Sequence, residues 1–142
     1  MILLDVNILV YAFRSDASRH ADFHGWLRER LQGREPVGVS DVVLSGVLRV
    51  LTHPRVFDPP TPFDKALQFV DAVRASRNCV TIAPGARHWE IFTRLCTTVS
   101  ARGNTVPDAY LAALAIEHGC EWITADRGFA RFADLRWRHP LE

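Results

Sequence analysis

The chain has 142 residues, 48% of them hydrophobic and 23% charged, and a formal net charge of +1. These values are typical of one soluble globular domain, so we predict a single domain over residues 1–142. No apolar run approaches the ~18–20 residues of a membrane span, and no secretion signal is visible. The small net charge excludes a general basic field that would by itself indicate nucleic-acid binding.

The cysteines and the cationic residues narrow the expectations further. Three cysteines without a CxxC spacing argue against a disulfide framework or a zinc site. We therefore expect a reducing compartment, the cytoplasm, and no membrane association. Lys65 is the only lysine among 17 cationic residues, and the others are arginine. Arginine suits bidentate phosphate contacts, although the codon bias of a GC-rich genome explains the same surplus.

Strand and helix signals alternate along the whole chain. In order, we predict a strand at 2–5, a helix at 7–13, a helix from about 18 to 33, a strand at 36–40, a helix between 40 and 54, a helix at 65–76, a strand at 79–84, a helix at 87–101, a helix at 107–119, a strand at 120–125, a loop or short helix at 126–132 and a strand at 135–140. Ser40 or Asp41 can cap the third helix, and Pro54 stops it. This alternation predicts an α/β sandwich with a mostly parallel sheet flanked by helices.

Three aspartates fall at the predicted carboxyl edge of this sheet. Asp5 ends the first strand and interrupts the apolar run MILLDVNILVYAF. Asp126 directly follows the fourth strand, and Asp108 lies in the first turn of the last long helix, on its apolar face. Ligands of open α/β sheets bind outside the carboxyl ends of the strands. We therefore expect the three side chains to line one crevice.

Carboxylates that share a crevice repel one another, and their pKa values rise unless a cation neutralises them. Hard oxygen ligands select Mg²⁺ or Mn²⁺ over zinc, and a bound Mg²⁺ commonly takes phosphate as a further ligand. The three aspartates therefore predict metal-assisted phosphodiester chemistry. Taken singly, each has an ordinary explanation, since Asp5 and Asp108 fit as helix caps and Asp126 as a turn residue.

Three segments give the chain a resemblance to a known family. They are LLDVNILVYAF at 3–13, VLRVLTHPRVF at 47–57 and VPDAYLAALAIEHGCEWITADRGFARF at 106–132. With them, the chain resembles the PIN-domain ribonucleases, specifically the VapC-type toxins of bacterial type II toxin–antitoxin systems, over essentially its whole length. The last segment is the most specific of the three. The resemblance implies a PIN-like sandwich, a parallel sheet flanked by helices.

The resemblance also implies an activity, a metal-dependent endoribonuclease that uses Mg²⁺ or Mn²⁺. Asp5, Asp108 and Asp126 match the acidic residues that hold the metal and are its catalytic residues. A metal-bound water then attacks the scissile phosphorus in line and leaves 5′-phosphate and 3′-hydroxyl ends. Asn7 and Thr124 match the family's asparagine and threonine, which orient the ligands or the substrate.

Partners follow from the same resemblance. It implies an RNA substrate, a cognate antitoxin protein and a homodimer, without naming the RNA target, the cleavage sequence or the antitoxin. Arg127, next to Asp126, is a candidate contact to the RNA backbone, with a solvated surface arginine as the alternative. The apolar helix VVLSGVLRVL is either wholly buried or partly covered by a partner, and core burial is the commoner explanation.

One position departs from the family pattern. Many PIN domains carry a glutamate in the third helix, and Gly46 stands at that position in this chain. Asp41 is the only acidic residue nearby, and it either replaces the missing carboxylate or caps the helix. The number of bound metal ions is therefore open. A catalytically degraded PIN domain that binds RNA or antitoxin without cleavage is the alternative function.

Other classes fit less well. A haloacid-dehalogenase-type phosphatase needs a second acid two residues after its aspartate, and Asn7 occupies that place. A receiver domain needs a lysine after its last strand, and none follows here. His20 and His24 have the i, i+4 spacing of a zinc pair, but no third ligand has a helpful spacing, so a solvated helix face is favoured.

Overall fold

The computed structural model describes all residues from Met1 to Glu142. Its elements are β1 Ile2–Leu4, α1 Val6–Phe13, α2 His20–Gln32, β2 Val37–Val39, α3 Asp41–Leu51, α4 Phe63–Arg74, β3 Cys79–Thr81, α5 His88–Thr98, α6 Thr105–Glu117, β4 Glu121–Ile123 and β5 Trp137–Arg138, with a 3₁₀ helix at Arg127–Arg131 between β4 and β5. The predicted order of strands and helices is confirmed. None of the helices is long and apolar enough to cross a membrane.

The five strands form one sheet in the order β3-β2-β1-β4-β5, and every neighbouring pair is parallel. The predicted mostly parallel sheet is therefore confirmed, and it is parallel throughout. β1 lies at the centre, with Leu3 facing Gly38 of β2 on one side and Trp122 of β4 on the other. The chain goes from β1 towards one edge of the sheet and later returns to the other edge, so the order reverses between β1 and β4.

The strands are shorter than the apolar runs from which they were predicted. β1 ends at Leu4 because the next residue, Asp5, caps α1: its N–H makes the last bond to β4, and its carboxylate accepts the Val6 N–H at 2.7 Å. β2 ends in the same way before Ser40, whose hydroxyl accepts the Val42 N–H and caps α3. Polar caps thus set the strand ends, and the side chains that follow the strands collect at one edge of the sheet.

One hydrophobic cluster of 33 buried residues fills the space between the sheet and the helices. All three residues of β1 are buried, as expected for the central strand of a parallel sheet covered on both faces. In α3 the side chains of Val43, Leu44 and Val47 are buried, whereas Val42 is 49% exposed. The apolar character of α3 is therefore mostly explained by the core, and its first turn reaches the surface.

Candidate active site

A cavity opens at the carboxyl edge of the sheet, at the point where the strand order reverses. Asp5 reaches it from the end of β1, Asp126 from the end of β4 and Asp108 from the first turn of α6. Asn7 of α1 lines the same cavity. The structure therefore brings Asp5 together with Asp108 and Asp126, which lie more than a hundred residues later in the chain, at the place where α/β sheets bind ligands.

Asp5 is the most enclosed of the three, with a residue exposure of 6%. One carboxylate oxygen accepts the Val6 N–H, and the other accepts the Thr124 hydroxyl at 2.6 Å and the Asn7 side-chain amide at 3.0 Å. The backbone N–H of Asp5 donates to the Ile123 carbonyl of β4 at 3.0 Å. Three hydrogen bonds therefore fix this carboxylate in place, and a fourth fixes the backbone of Asp5, which is how a buried charge is tolerated.

Thr124 and Asn7 tie the two central strand ends together. The fully buried Thr124 hydroxyl donates to Asp5 and accepts the Asp126 N–H at 3.0 Å. The Asn7 carbonyl oxygen accepts the Ala125 N–H at 3.1 Å, while its amide nitrogen donates to Asp5 and to the Thr124 hydroxyl. Both predicted accessory residues are thus placed to orient the carboxylates through hydrogen bonds.

The three aspartates are buried to different extents, and burial raises the pKa values of Asp5 and Asp108. Burial, together with the charges of Asp108 and Asp126 and opposed by the hydrogen bonds from Thr124 and Val6, raises the pKa of Asp5 from 3.8 to about 6. Partial burial raises the pKa of Asp108 as well, with the Asp126 charge adding to the rise and Arg131 opposing it. Two of the three carboxyl groups thus resist ionisation, as expected where like charges share a cavity.

Two of the additional candidate site residues, Asp41 and Arg127, lie outside the acidic cavity. Asp41 is exposed in the first turn of α3, where its carboxylate pairs with the Arg74 guanidinium at 3.3 Å, and Ser40 is the residue that caps the helix. Arg127 is exposed and pairs with Glu142 near the C-terminus. Neither side chain lines the acidic cavity.

Gly46 lies where α3 packs against α1. A Cβ atom built on it would stand 2.9 Å from the Cγ2 methyl of Val6. Val6 is itself a lining residue of the acidic cavity, next to Asp5. At the position where many PIN domains carry a glutamate, α3 therefore packs closely against α1. No acidic side chain of α3 lines the cavity.

Several residues that line the cavity were not predicted from the sequence. Arg49, one helical turn beyond Gly46, lines the cavity, as do Tyr11 and the pair Val56 and Phe57 of the loop that follows α3. Three of these four residues lie in the segment VLRVLTHPRVF, one of the three segments in which the chain resembles the PIN-domain family. That resemblance was the sequence feature that indicated them. A helical wheel of α3 also places Arg49 on the Gly46 side, away from the buried Val43, Val47 and Leu51.

The predicted solvated face for the two helix α2 histidines needs one refinement. His20 Nδ1 lies 2.9 Å from the Tyr11 carbonyl oxygen and His24 Nδ1 lies 3.3 Å from the Ala12 carbonyl oxygen. These carbonyls belong to the last turn of α1, which has no further helical partner for them. The histidines therefore fasten α2 to the end of α1, and no group of three or more metal-binding side chains includes them.

The donor set suits a hard divalent cation, because it consists of carboxylate oxygens with an amide and a hydroxyl behind them. The carboxylates do not form a closed three-ligand cluster. An open arrangement fits Mg²⁺, which usually keeps several waters and binds protein through one or two carboxylates together with substrate phosphate. The raised pKa values of Asp5 and Asp108 give a cation a favourable electrostatic role in the cavity.

Both the sequence and the fold are similar to those of known proteins. The family model described as "PIN domain" matches residues 2–135. Ribonuclease VapC43 of Mycobacterium tuberculosis is 49% identical over 142 residues, which cover 100% of this chain and 97% of that protein.

Two solved structures share the fold. The VapBC2 structure from Rickettsia felis, bound to a DNA fragment from its promoter, has a TM-score of 0.73 at 19% identity and covers 98% of each chain. A toxin–antitoxin complex from Klebsiella pneumoniae has a TM-score of 0.64 at 19% identity and covers 100% of this chain and 99% of that one. Together with the matched model and the full-length identity, this agreement leads to one conclusion: the chain belongs to the PIN-domain family and, within it, to the VapC ribonucleases.

Proposed function

We propose that this chain is a Mg²⁺- or Mn²⁺-dependent endoribonuclease, a toxin that a cognate antitoxin neutralises. The observation that carries the proposal is the cavity in which Asp5, Asp108 and Asp126 meet, in a chain 49% identical to a VapC ribonuclease over its full length. Residues 1–142 act as one domain around their single hydrophobic cluster.

In this proposal the aspartates of the cavity and the two residues behind them have different roles. Asp5, Asp108 and Asp126 hold the cation, and Asp126 and Asp108 are the more accessible two, on the side that RNA enters. Asn7 and Thr124 keep the Asp5 carboxylate and the Asp126 backbone in position. When bound, the metal ion lowers the pKa of a water molecule and stabilises charge on the phosphate oxygens. Hydrolysis of an RNA phosphodiester bond is the chemistry that this arrangement supports best.

The antitoxin partner is supported by the family, since relatives of the same fold have been solved as toxin–antitoxin complexes. The homodimer is supported by an apolar face formed by Val42 of α3, Phe92 of α5 and four residues of α6, Val106, Pro107, Tyr110 and Leu111. Beside it, Trp89 is 69% exposed. Burial of such a face against a second copy stabilises a dimer, and sedimentation at rising protein concentration measures it.

The cytoplasm is the compartment we propose, because RNA substrate and newly made antitoxin are both present there. Cys79, Cys96 and Cys120 are all free thiols, which a reducing compartment maintains.

The second candidate function is a PIN domain that binds RNA or antitoxin without cleaving RNA. Gly46 favours it, because α3 then adds no carboxylate to the cavity, and the three remaining carboxylates form no closed ion site. Cleavage of RNA by the purified chain that depends on added Mg²⁺ separates the two functions.

The test of the proposed enzyme is the substitution Asp108→Asn, with Asp71→Asn as its matched control. Asp71 is an exposed aspartate of α4 that does not line the cavity. We expect Asp108→Asn to lower Mg²⁺-dependent RNA cleavage by more than about 100-fold, since even outer ligand partners cost 10- to 100-fold. The control retains wild-type activity, and both variants keep the wild-type circular dichroism spectrum. Full activity of Asp108→Asn overturns the assignment.

A further inference from the structure

Arg49 is a cation left free inside an acidic cavity. It projects from α3, is exposed, and lines the cavity that holds the three aspartates. It makes no ion pair and no side-chain hydrogen bond within the chain. The two arginines that follow Asp126 differ, because Arg127 is paired with Glu142 and Arg131 is bonded to the Thr105 hydroxyl and the Gly128 carbonyl.

The Arg49 guanidinium forms no salt bridge with any of the three aspartates. The cation that acts on Asp108 is Arg131, and the charged groups that act on Asp5 are the other two aspartates. Structural roles on α3 are filled by other residues, since Val43, Val47 and Leu51 form its buried face. A charged side chain with five donors, none of which is hydrogen-bonded within the chain, is placed for a ligand from outside the chain.

The packing of α3 directs this cation towards the cavity. Close contact between Gly46 and the Val6 methyl brings α3 against α1 at the cavity wall, and Arg49 follows one turn later on that side. The helix therefore contributes a positive charge and no negative one to the cavity. A cavity with three carboxylates repels a polyanion such as RNA. A cation beside the carboxylates reduces this repulsion for an incoming phosphodiester.

We propose that Arg49 is a substrate-contacting residue that binds a phosphate of the RNA chain beside the aspartates. The proposal rests on the proposed ribonuclease function and deepens it. The planar guanidinium donates two parallel hydrogen bonds to phosphate oxygens, a geometry that the compact ammonium of lysine does not reproduce. The contact is to the backbone, so it adds affinity for RNA of any sequence.

The test compares Arg49→Gln, Arg49→Lys and the control Arg34→Gln. Arg34 is also exposed and free of ion pairs, but it precedes β2 at the opposite end of the strands from the cavity. Both glutamine variants remove one positive charge. Binding of a fluorescent single-stranded RNA oligonucleotide is measured in the Asp108→Asn background, so that the RNA stays intact, over a range of salt concentrations.

We expect Arg49→Gln to raise the Kd about tenfold and to reduce the slope of log Kd against log salt by about 0.7, the value for one phosphate contact on a single strand. Arg49→Lys keeps the slope and binds less tightly than arginine, and Arg34→Gln changes neither quantity. In the active chain, Arg49→Gln lowers kcat/KM by about the same factor at saturating Mg²⁺.

Three outcomes contradict the proposal and differ from one another. If the background protein binds RNA and Arg49→Gln leaves Kd and slope unchanged, Arg49 has no phosphate contact and the ribonuclease assignment stands. If neither the background protein binds RNA nor the wild-type chain cleaves it, the function and the role of Arg49 fail together. An equal loss in Arg34→Gln shows that the effect is one of net charge, which also overturns the assigned contact.

Discussion

At Asp5, burial and hydrogen bonding act on the same carboxyl group in opposite directions. Burial raises its pKa to about 6, against the hydrogen bonds from Thr124 and Val6 that favour the charged form. A side chain held this firmly and still difficult to ionise is costly for the fold without a cation. The aspartate that interrupts the apolar N-terminal run is thus explained by function more readily than by stability.

The cost has a measurable pH dependence. Between pH 3.8 and about 6 the folded chain keeps a proton on Asp5 that the unfolded chain has lost, so stability falls as pH rises through this range. A shift from 3.8 to about 6 corresponds to at most about 3 kcal/mol. In EDTA, we expect the difference in unfolding free energy between Asp5→Asn and wild type to move in favour of the variant by up to this amount from pH 4 to pH 7.

Urea unfolding at several pH values measures this difference, with Asp71→Asn as the control that shows no such trend. A difference between Asp5→Asn and wild type that stays constant with pH contradicts the assigned burial of the charge. Since asparagine keeps one acceptor for the Val6 N–H, the variant retains the cap of α1.

Thr124 gives a second prediction at this scale. Thr124→Val removes the hydroxyl that donates to Asp5 at 2.6 Å and accepts the Asp126 N–H at 3.0 Å. We expect RNA cleavage to fall by about 10- to 100-fold, and the acid limb of its pH profile to move to higher pH because a hydrogen bond to the charged Asp5 is lost.

Thr124→Ser is the matched control, because it keeps the hydroxyl and loses only a methyl group. We expect it to retain most of the activity and the wild-type pH profile. If the valine and serine variants cleave RNA equally well, the hydroxyl does not position the carboxylate. The pH profile matters here, since a loss of stability alone would lower the amplitude without moving the acid limb.

The aspartates could be predicted from sequence because each follows a strand or opens a helix. Such positions identify a sheet edge even when the strands are only three residues long. Arg49 could not be predicted in this way, because nothing in an apolar helix pattern states which polar residue faces a cavity. For Asp41, sequence position alone does not distinguish a cavity residue from one that pairs with Arg74 on the surface.

At the scale of elements, the contact between α1 and α3 depends on Gly46. Glycine inside a helix is about 1 kcal/mol less stable than alanine. Here the added methyl would meet the Val6 side chain at 2.9 Å, and β-branched valine has few other rotamers to adopt in a helix. Gly46 therefore lowers the helix propensity of α3 but allows α3 to pack closely against α1 at the cavity wall.

We expect Gly46→Ala to lower the unfolding free energy by about 1 kcal/mol, because an overpacking cost of roughly 1–3 kcal/mol exceeds the gain in helix propensity. In a Val6→Ala background, where the clash is absent, the same substitution becomes stabilising. Gly25→Ala is the control, since a Cβ at this α2 glycine meets no atom within 4 Å, and it stabilises in both backgrounds.

Urea unfolding of the wild type, the two single variants and the double variant measures the coupling between positions 6 and 46. Equal effects of Gly46→Ala in both backgrounds would show that the two helices have room for a side chain here. In that case the glycine is not explained by packing, and the vacant carboxylate position needs a different account.

Helix and strand boundaries both deviate from the predicted ones by up to three residues, and a boundary was predictable where a capping residue marks it. Capping serines, prolines and glycines mark helix ends directly, and α3 begins and ends within the limits that Ser40 and Pro54 set. Strands in a parallel sheet are uniformly apolar, so their sequence does not show where the ladder stops. Val80 of the edge strand β3 is 40% exposed, and this exposure could not be predicted from an apolar run.

For the whole molecule, strand order decides that the aspartates meet. The alternation of strands and helices predicts a parallel sheet, but it does not state which strands are neighbours. With the order β3-β2-β1-β4-β5, the ends of β1 and β4 lie side by side where the order reverses, and Asp5 and Asp126 flank that point. Long-range pairing of this kind depends on how all helices cover the sheet, which no local pattern specifies.

The same topology makes metal binding a property of the entire fold. A cation held by Asp5, Asp108 and Asp126 links β1, β4 and α6, and these sites come together only in the folded chain. Binding to the folded state alone adds RT ln(1 + [metal]/Kd) to its stability, about 2.7 kcal/mol at a hundredfold excess over Kd. We therefore expect saturating Mn²⁺ or Mg²⁺ to raise the Tm of the chain at pH 7.5.

At pH 5 the rise should be smaller, because protons compete with the cation at Asp5, whose pKa is about 6, and at Asp108, whose pKa is also raised. Differential scanning fluorimetry with and without metal at the two pH values measures both effects. Asp108→Asn should reduce the metal-induced shift, while Asp71→Asn should preserve it. A shift that is equal at pH 5 and pH 7.5, or unchanged in Asp108→Asn, places the ion outside this cavity and removes the carboxylates from the metal site.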